Sequence, residues 1–223
     1  MYGYLKKEVL NLNEKEINRI NHMQEIENDL YEKGYKYVCG IDEAGRGPLC
    51  GPVVAAAVIL PKDIYIEGIN DSKKLSEKKR EIIFEEIEKK ALAIGVGIVD
   101  VDIIEEKNIL NATKIAMKEA LEKLKIKPDY VLIDGNQMID IKIAAKTVVS
   151  GDSLSHSIAA ASIIAKVTRD KMLYDFDKKY PEYNFAKHKG YGTKEHREAI
   201  LKHGLCEIHR PSFCKKILEG GSK

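Results

Sequence analysis

The sequence predicts an α/β fold built around one mixed β-sheet that is flanked by helices. Apolar runs of strand length come first after the N-terminal region, and later strands alternate with amphipathic helical patterns. At 223 residues, the chain can form one medium-sized domain with an appendage and can bury a substantial core. We expect a helical N-terminal extension over residues 1–33, an α/β core over 34–180, and a small C-terminal segment of helix and turns over 181–223.

The N-terminal extension has the pattern of a single charged helix. Over residues 12–33, apolar side chains recur at intervals of three and four, and Gly34 ends the pattern. We expect this helix to pack on the core or to lie beside it. The apolar stripe consists of Ile17, Ile20, Met23, Ile26 and Leu30.

The first half of the core predicts a hairpin followed by a helix and a third strand. Apolar runs cover residues 37–42 and 53–60, with a glycine-rich turn between them. A helix is expected over 76–92 with Ser76 as its N-cap, and a strand over 93–99. The inward side chains of that helix are expected to be Ile83, Phe84, Ile87 and Ala91.

The remaining elements alternate between helix and strand until the C-terminal segment. The longest helical pattern begins with small residues, which would let the helix lie close to the sheet. After it we expect turns and one short helix. The expected elements are helices over 110–124, 155–176 and 194–203 and strands over 130–135 and 141–149.

The composition favours a mildly basic protein of the cytoplasm. The net charge is +2, and because residues 1–33 hold five basic and seven acidic side chains, the rest of the chain carries 32 basic against 28 acidic. This balance is compatible with a nucleic-acid partner without requiring one. The four cysteines form no C-x-x-C pair, which favours reduced thiols, and the longest apolar stretch, residues 53–60, is too short to span a bilayer. We therefore expect a cytoplasmic protein with no membrane partner.

The most informative stretch is residues 40–48, which place two adjacent acids after an apolar strand and before a Gly-Arg-Gly turn. Burying Asp42 and Glu43 without partners would cost several kcal/mol, so such a pair usually marks a metal or catalytic site. The turn offers backbone that can approach a ligand closely, with one guanidinium beside it. The alternative is a helix cap followed by an ordinary turn. The pattern lacks the third glycine of a dinucleotide fingerprint and the lysine of a P-loop.

Four acids share a common setting, at strand ends or at the start of a helix. Oxygen ligands without a His or Cys cluster favour Mg²⁺ or Mn²⁺ over zinc. Four carboxylates suit two ions roughly 3.5–4 Å apart, the arrangement of in-line phosphoryl displacement. Each acid also has an ordinary explanation, since Asp134-Gly135 is a turn signal and Asp152 can cap a helix. The four acids are Asp42, Glu43, Asp134 and Asp152.

Five segments, in order along the chain, resemble bacterial ribonuclease HII. The resemblance implies a ribonuclease H-like sheet, two divalent ions, and endonucleolytic cleavage of the RNA strand in RNA–DNA hybrids. It also implies cutting 5′ of ribonucleotides embedded in duplex DNA, leaving a 3′-hydroxyl and a 5′-phosphate. The resemblance covers about residues 34–215, and its segments are residues 40–48, 71–75, 133–136, 159–170 and 188–193.

The resemblance also implies roles for individual residues. The family's metal-binding and catalytic acids correspond to Asp42, Glu43, Asp134 and Asp152. The turn that contacts the ribonucleotide around its 2′-hydroxyl corresponds to Gly45, Arg46 and Gly47. The tyrosine that senses the sugar beyond the scissile phosphate corresponds to Tyr191. A 2′-hydroxyl is the group that separates RNA from DNA, which agrees with a glycine turn that lets main-chain groups reach it.

Basic residues complete the expected substrate surface. Lys73 and Lys74 match the family's Asp-Ser-Lys-Lys-Leu segment and either hold phosphates or are simply solvated. A better basic patch surrounds Tyr191, with Lys187 and Lys189 as the expected substrate contacts. The whole patch consists of Lys187, His188, Lys189, Lys194 and Arg197.

Two other classes of function remain open. One is a catalytically silent nucleic-acid-binding module on the same fold, although binding alone would gain from losing acids near phosphate. The other is a phosphatase of small molecules, against which the basic and aromatic tail argues. The extension is too short for the separate substrate-binding domain of the related ribonuclease HIII. The expected partners are RNA–DNA hybrids and DNA duplexes that contain ribonucleotides, bound by a monomer.

Overall fold

A five-stranded mixed sheet with helices on both faces forms the centre of the molecule, as a computed structural model of residues 12–220 shows. None of the helices in this range is long and apolar enough to cross a membrane. The elements in chain order are α1 (Glu14–Met23), α2 (Glu25–Glu32), β1 (Val38–Ala44), β2 (Val53–Ile59), α3 (Glu77–Lys90), β3 (Ala93–Val99), α4 (Val101–Glu122), β4 (Tyr130–Asp134), β5 (Ala144–Val148), α5 (Gly151–Leu154), α6 (His156–Lys179), α7 (Phe185–His188), α8 (Lys194–His203) and α9 (Pro211–Leu218).

The strand order is β3-β2-β1-β4-β5. The first three strands form an antiparallel meander, in which Asp42 of β1 pairs with Ala56 of β2. Strands β4 and β5 then add to β1 in parallel, with Ile41 opposite Ile133. The predicted α/β fold with a mixed sheet and an initial hairpin is therefore confirmed, and the ends of β1 and β4 lie side by side at one edge.

Helices α4 and α6 cover opposite faces of the sheet at backbone contact distance. A Cβ atom on Gly97 of β3 would overlap the carbonyl oxygen of Ala116 in α4. A Cβ on Gly40 of β1 would likewise overlap the backbone of Ser157 in α6. The small residues at the start of α6 thus let this helix approach the strand that carries Asp42, as the sequence predicts.

The single N-terminal helix predicted over residues 12–33 is wrong, because the chain forms two helices that meet at Gln24. The Gln24 side chain is buried and donates to the carbonyl of Ile64, 2.5 Å away. Both helices pack on the core through the buried side chains of Ile20, Met23 and Leu30. The first eleven and last three residues of the predicted terminal segments lie outside the described residues.

Three other element boundaries differ from the expectation. Helix α4 begins at Val101 and kinks at Asn108, whose φ of 67° interrupts the apolar periodicity. Strand β5 begins only at Ala144. As far as residue 220, the C-terminal segment contains two α-helices besides the predicted one: the short α7, and α9, which has eight residues and begins at Pro211. Its proline in the first turn was an available signal, because proline is favoured at the start of helices.

The other core elements lie close to their predicted positions. Strand β3 and helix α8 occupy the predicted ranges, and Ser76 caps α3 by accepting from the backbone N–H of Lys79. Helix α6 starts after its N-cap, Ser155, and runs to Lys179. These elements had clear boundary residues in the sequence.

Candidate active site

The parallel pairing of β1 and β4 brings Asp42 and Asp134 to the same edge of the sheet. Asp152 reaches this edge from α5, whose Gly151 N–H donates to Asp134 Oδ1 at 2.7 Å. Asp42 and Asp152 are buried, and Glu43 and Asp134 are half-buried. Four acids from three separate segments therefore lie around one edge, as the sequence predicts.

The electrostatics of the acids reflect this clustering. Burial raises the pKa of Asp42 well above its usual value, and the charges of Glu43 and Asp134 raise it further. Burial likewise raises the pKa of Glu43 and of Asp152, and Asp134 adds to both shifts. Neighbouring Arg46 and Lys73 oppose these increases only in part. Negative charge is thus concentrated where a cation would relieve it.

Each carboxyl is nevertheless engaged with a protein group. Glu43 lies 3.4 Å from Arg46 Nη1, and Asp152 lies 3.8 Å from Lys73 Nζ. Asp42 Oδ1 accepts from the backbone N–H of Glu43 at 2.7 Å. Within residues 12–220, no three His, Cys, Asp or Glu side chains are arranged as a group that could hold a metal ion.

Asp42 and Glu43 are adjacent residues of β1, so their side chains leave the strand on opposite faces. The acids fit a hard divalent cation in their chemistry, since all four offer oxygen ligands. To bind an ion together, Glu43 and Asp152 would have to turn away from Arg46 and Lys73.

The Gly-Arg-Gly turn borders the acids and depends on glycine at its first position. Gly45 has a φ of +101°, and a Cβ there would overlap Arg169 Nε and lie 2.7 Å from the carbonyl oxygen of Pro52. At Gly47, a Cβ would meet only the Tyr191 ring, at 3.8 Å. The turn therefore places its second glycine beside the tyrosine that the sequence assigns to sugar recognition.

Two buried arginines, which sequence reasoning did not single out, hold this turn and the chain that follows it in place. Arg210 is fully buried, and its guanidinium donates to four backbone carbonyls between 2.7 and 3.2 Å away. Arg169 is also buried and donates to three more carbonyls. The acceptors of Arg210 are Gly45, Arg46, Pro48 and Gly51, and those of Arg169 are Cys50, Pro52 and Lys189. The available signal for Arg169 was an arginine in a long helical pattern whose neighbouring turns are mostly apolar.

A chain of neutral histidines fixes the backbone of Tyr191. The N–H of Cys206 donates to His209 Nδ1 at 2.9 Å, which leaves the His209 proton on Nε2. That proton points to His196 Nε2, 3.1 Å away, so His196 Nδ1–H donates to the carbonyl of Tyr191 at 3.0 Å. Burial lowers the pKa of both histidines to about 4, which keeps them neutral.

One of the acids, Glu43, lines an open groove of about 350 Å³ together with the turn and the tyrosine. The Tyr191 side chain is 46% exposed in it, and Lys166 and Ser162 of α6 form part of its floor. The groove thus joins residues that are about 150 positions apart in the chain. From the sequence-predicted set, it includes Glu43, Gly45, Arg46, Gly47, Lys73 and Tyr191.

The predicted lysines fall into two groups. Lys73 lines the groove, and although burial opposes its ionisation, the charges of Asp42 and Asp152 raise its pKa. Lys74 lies beside it, 3.7 Å from Asp71. Lys187 pairs with Glu195 at 2.7 Å, outside the residues that line the groove.

Lys189 also points away from the groove. Its side chain is 12% exposed, and its ammonium group donates to Tyr174 Oη at 2.8 Å and lies 3.7 Å from Glu77. His188 is buried and its Nε2 bonds the carbonyl of Tyr183. The structure therefore does not bring the Lys187 and Lys189 amines together with the acids, and their substrate role stays a prediction.

Comparison with known proteins agrees with the sequence resemblance. The family model for Ribonuclease HII matches residues 39–216. A ribonuclease HII from Acetivibrio thermocellus is 60% identical to this chain, and one from Clostridioides difficile is 58% identical. Each match covers 92% of this chain and 80% of the relative's own length. Among solved structures, ribonuclease H2 from Pyrococcus horikoshii OT3 is similar, with a TM-score of 0.70 and 27% identity over 83% of this chain and 98% of that one.

Proposed function

Because this chain belongs to the ribonuclease HII family, endoribonucleases that cleave RNA in RNA–DNA hybrids, we propose that it uses two divalent ions to hydrolyse the phosphodiester bond. We further propose that it cuts 5′ of single ribonucleotides embedded in duplex DNA, leaving a 3′-hydroxyl and a 5′-phosphate. The observation that carries the proposal is the gathering of four carboxyls beside a groove that also contains the Gly-Arg-Gly turn and Tyr191.

The carboxyls Asp42, Glu43, Asp134 and Asp152 would hold Mg²⁺ or Mn²⁺. Ions bound there would activate the attacking water and stabilise the leaving oxygen. Before substrate binds, Arg46 and Lys73 neutralise part of the acid charge by pairing with Glu43 and Asp152. Both cations line the groove, so substrate phosphates can replace the carboxyls as their partners.

Recognition of the ribonucleotide would use the turn and the tyrosine together. Gly47 leaves open space beside the Tyr191 ring, so a sugar can approach the main chain without meeting a Cβ. Arg46 adds a guanidinium, of which about half is exposed. A main-chain contact to the 2′-hydroxyl would then distinguish RNA from DNA at one position, and the ring would contact the following sugar.

We propose that four lysines contact substrate phosphates and contribute unequally to binding: Lys73, Lys74, Lys187 and Lys189. Lys73 is the strongest candidate, because its ammonium group is exposed and lies beside Asp152. We also propose that the protein acts as a monomer in the cytoplasm, for which its four free cysteines are suited.

The decisive experiment is incubation of a DNA duplex bearing one ribonucleotide, and of a continuous hybrid, with Mg²⁺ or Mn²⁺. We expect cleavage of both substrates, abolition by chelator, and no cleavage by Asp134→Asn. Binding without cleavage under every metal condition would favour the catalytically silent module. Cleavage that survives chelation, or that is unchanged in Asp134→Asn, would contradict the metal assignment.

A further inference from the structure

The N-terminal helices make a buried polar contact with the start of α6. They lie outside residues 39–216, the part of the chain that the family model matches. Glu27 of α2 is 5% exposed, and its Oε1 atom accepts hydrogen bonds from Ser155 Oγ at 2.6 Å, from Ser157 Oγ at 2.6 Å and from the N–H of Ser157 at 2.9 Å. One carboxyl oxygen of the extension therefore collects three donors from the N-terminus of α6.

Ser155 is the junction between α6 and the turn that carries Asp152. Its Oγ atom accepts from the N–H of Ile158 at 3.2 Å, which caps α6. Its own N–H donates to the carbonyl of Gly151 at 2.8 Å and so closes the single turn α5. A group that fixes Ser155 fixes both the start of α6 and the end of α5.

Asp152 needs such support more than the other acids do. Asp42 and Asp134 stand on central strands of the sheet, whereas Asp152 stands on one isolated helical turn. The turn follows Ser150, which adopts a left-handed conformation with a φ of 56°. Asp134 holds the first residue of α5 through the Gly151 N–H, so the end of the turn at Ser155 is the other point that sets the position of Asp152.

Stabilisation of the fold is a poor explanation for the buried Glu27 contact. Ile20, Met23 and Leu30 already bury apolar side chains of the extension. Glu27 Oε2 and His156 Nε2 are buried without a protein partner, and both residues line a small cavity of about 10 Å³, room for about one water molecule. Hydrogen bonds between buried polar groups fix the position of α2 relative to the start of α6, whereas an apolar contact at this place would let the two helices shift against each other.

We propose that Glu27 is a positioning residue for Asp152, so that the N-terminal extension completes the active site through Ser155. This inference rests on the proposed role of Asp152 in metal binding. The extension acts by holding the junction between α5 and α6, and it does not touch substrate. Loss of the Glu27 contact should therefore weaken metal binding at the acids, beyond any effect on melting temperature.

The test measures Mn²⁺ binding to the full-length chain without substrate, by electron paramagnetic resonance of free Mn²⁺, together with thermal melting. Removing a direct hydrogen-bond partner of a metal ligand weakens binding about 10–100-fold, and because Glu27 acts one residue further away, through Ser155, we expect Glu27→Ala to weaken Mn²⁺ binding by about tenfold at most. Glu27→Gln retains one acceptor oxygen and should restore affinity to within about twofold of the wild type. The matched control, Leu30→Ala, removes a buried apolar contact of the same helix and should lower the melting temperature without changing Mn²⁺ affinity.

Two outcomes would overturn the inference separately from the proposed function. If Asp152→Asn weakens Mn²⁺ binding but Glu27→Ala does not, the acid assignment stands and the positioning role is wrong. If Asp152→Asn binds Mn²⁺ as the wild type does, both fail together. Should Glu27→Ala not fold, Ser155→Ala removes the one hydrogen bond that joins Glu27 to the junction residue, and unchanged affinity there would likewise overturn the inference.

Discussion

Replacing Gly45 with alanine should destabilise the protein, whereas the same change at Gly47 should not. At Gly45 the φ of +101° is strained for any residue with a Cβ, at a cost of about 1–3 kcal/mol. The new methyl group would also displace Arg169 Nε, which donates to the carbonyl of Pro52 at 3.0 Å. Losing one hydrogen bond from a charged donor adds about 1.5–3 kcal/mol.

The combined effect for Gly45→Ala is therefore about 2.5–6 kcal/mol, a large share of a typical folding free energy of about 5–15 kcal/mol. For a chain of this length, each kcal/mol lowers the melting temperature by about 2–4 °C, which predicts a decrease of roughly 10 °C. At Gly47 the added methyl group would lie 3.8 Å from its nearest neighbour and φ is not positive, so Gly47→Ala should melt within about 2 °C of the wild type.

The assay pairs melting curves and urea unfolding with cleavage of a single-ribonucleotide duplex. Gly47→Ala should keep its stability and lose cleavage, with a raised KM, because its methyl group fills the space beside Tyr191 where the sugar would approach. A Gly45→Ala protein as stable as the wild type would refute the argument from backbone strain. Wild-type cleavage by Gly47→Ala would refute the close approach of substrate to this turn.

Four further predictions follow from the same site. Arg210→Lys keeps a charge but loses the planar fork that reaches four carbonyls, so urea unfolding should show a loss of about 2–4 kcal/mol; an unchanged midpoint would contradict this. Asp42→Asn should abolish cleavage yet raise the metal-free melting temperature, because burial and neighbouring acids already disfavour its charge; near-normal turnover would remove it from the site. Burial lowers the pKa of His196 and His209 to about 4, below the unfolded value of 6.5, so the unfolded state takes up protons first as the pH falls. The free energy of unfolding should therefore decrease between about pH 6.5 and pH 4, by up to about 1.4 kcal/mol per pH unit for each ring. This is best measured by urea unfolding in the Asp42→Asn background, which removes an opposing titration, and a flat profile would contradict it. Tyr191→Phe should lose little activity and Tyr191→Ala far more, chiefly on single-ribonucleotide duplexes; equal losses on a continuous hybrid that track the melting temperature would instead indicate a packing role.

The sequence could predict that Asp42 and Asp134 lie together because strand ends carry their own signals. Asp42 and Asp134 each close an apolar run, and parallel strands bring such ends to one edge. Gly45 to Gly47 could be placed from the turn alone. The positions of these residues follow mainly from local sequence patterns and from one pairing of strands, which hydrophobic periodicity predicts.

The supporting polar residues could not be predicted in this way. Glu27 and Arg210 look like solvated charges in the sequence, yet both are buried, and their acceptors or donors lie more than a hundred positions away. The break at Gln24 has the same origin, since its side chain bonds Ile64, forty positions on. Helical periodicity reports which face is apolar, and it contains no information about a polar side chain that finds a distant carbonyl.

The pairing of β1 with β4 has a consequence for the order in which parts of the protein fold during synthesis. Val38 pairs with Tyr130, ninety-two positions later, so the meander β1–β3 can form on the ribosome long before β4 emerges. The Gly-Arg-Gly turn has to wait longer still, because Arg210, which holds it, is made after β4. We expect a nascent chain to hold a folded hairpin before its site is assembled, so nuclease activity would begin only after Arg210 has been made.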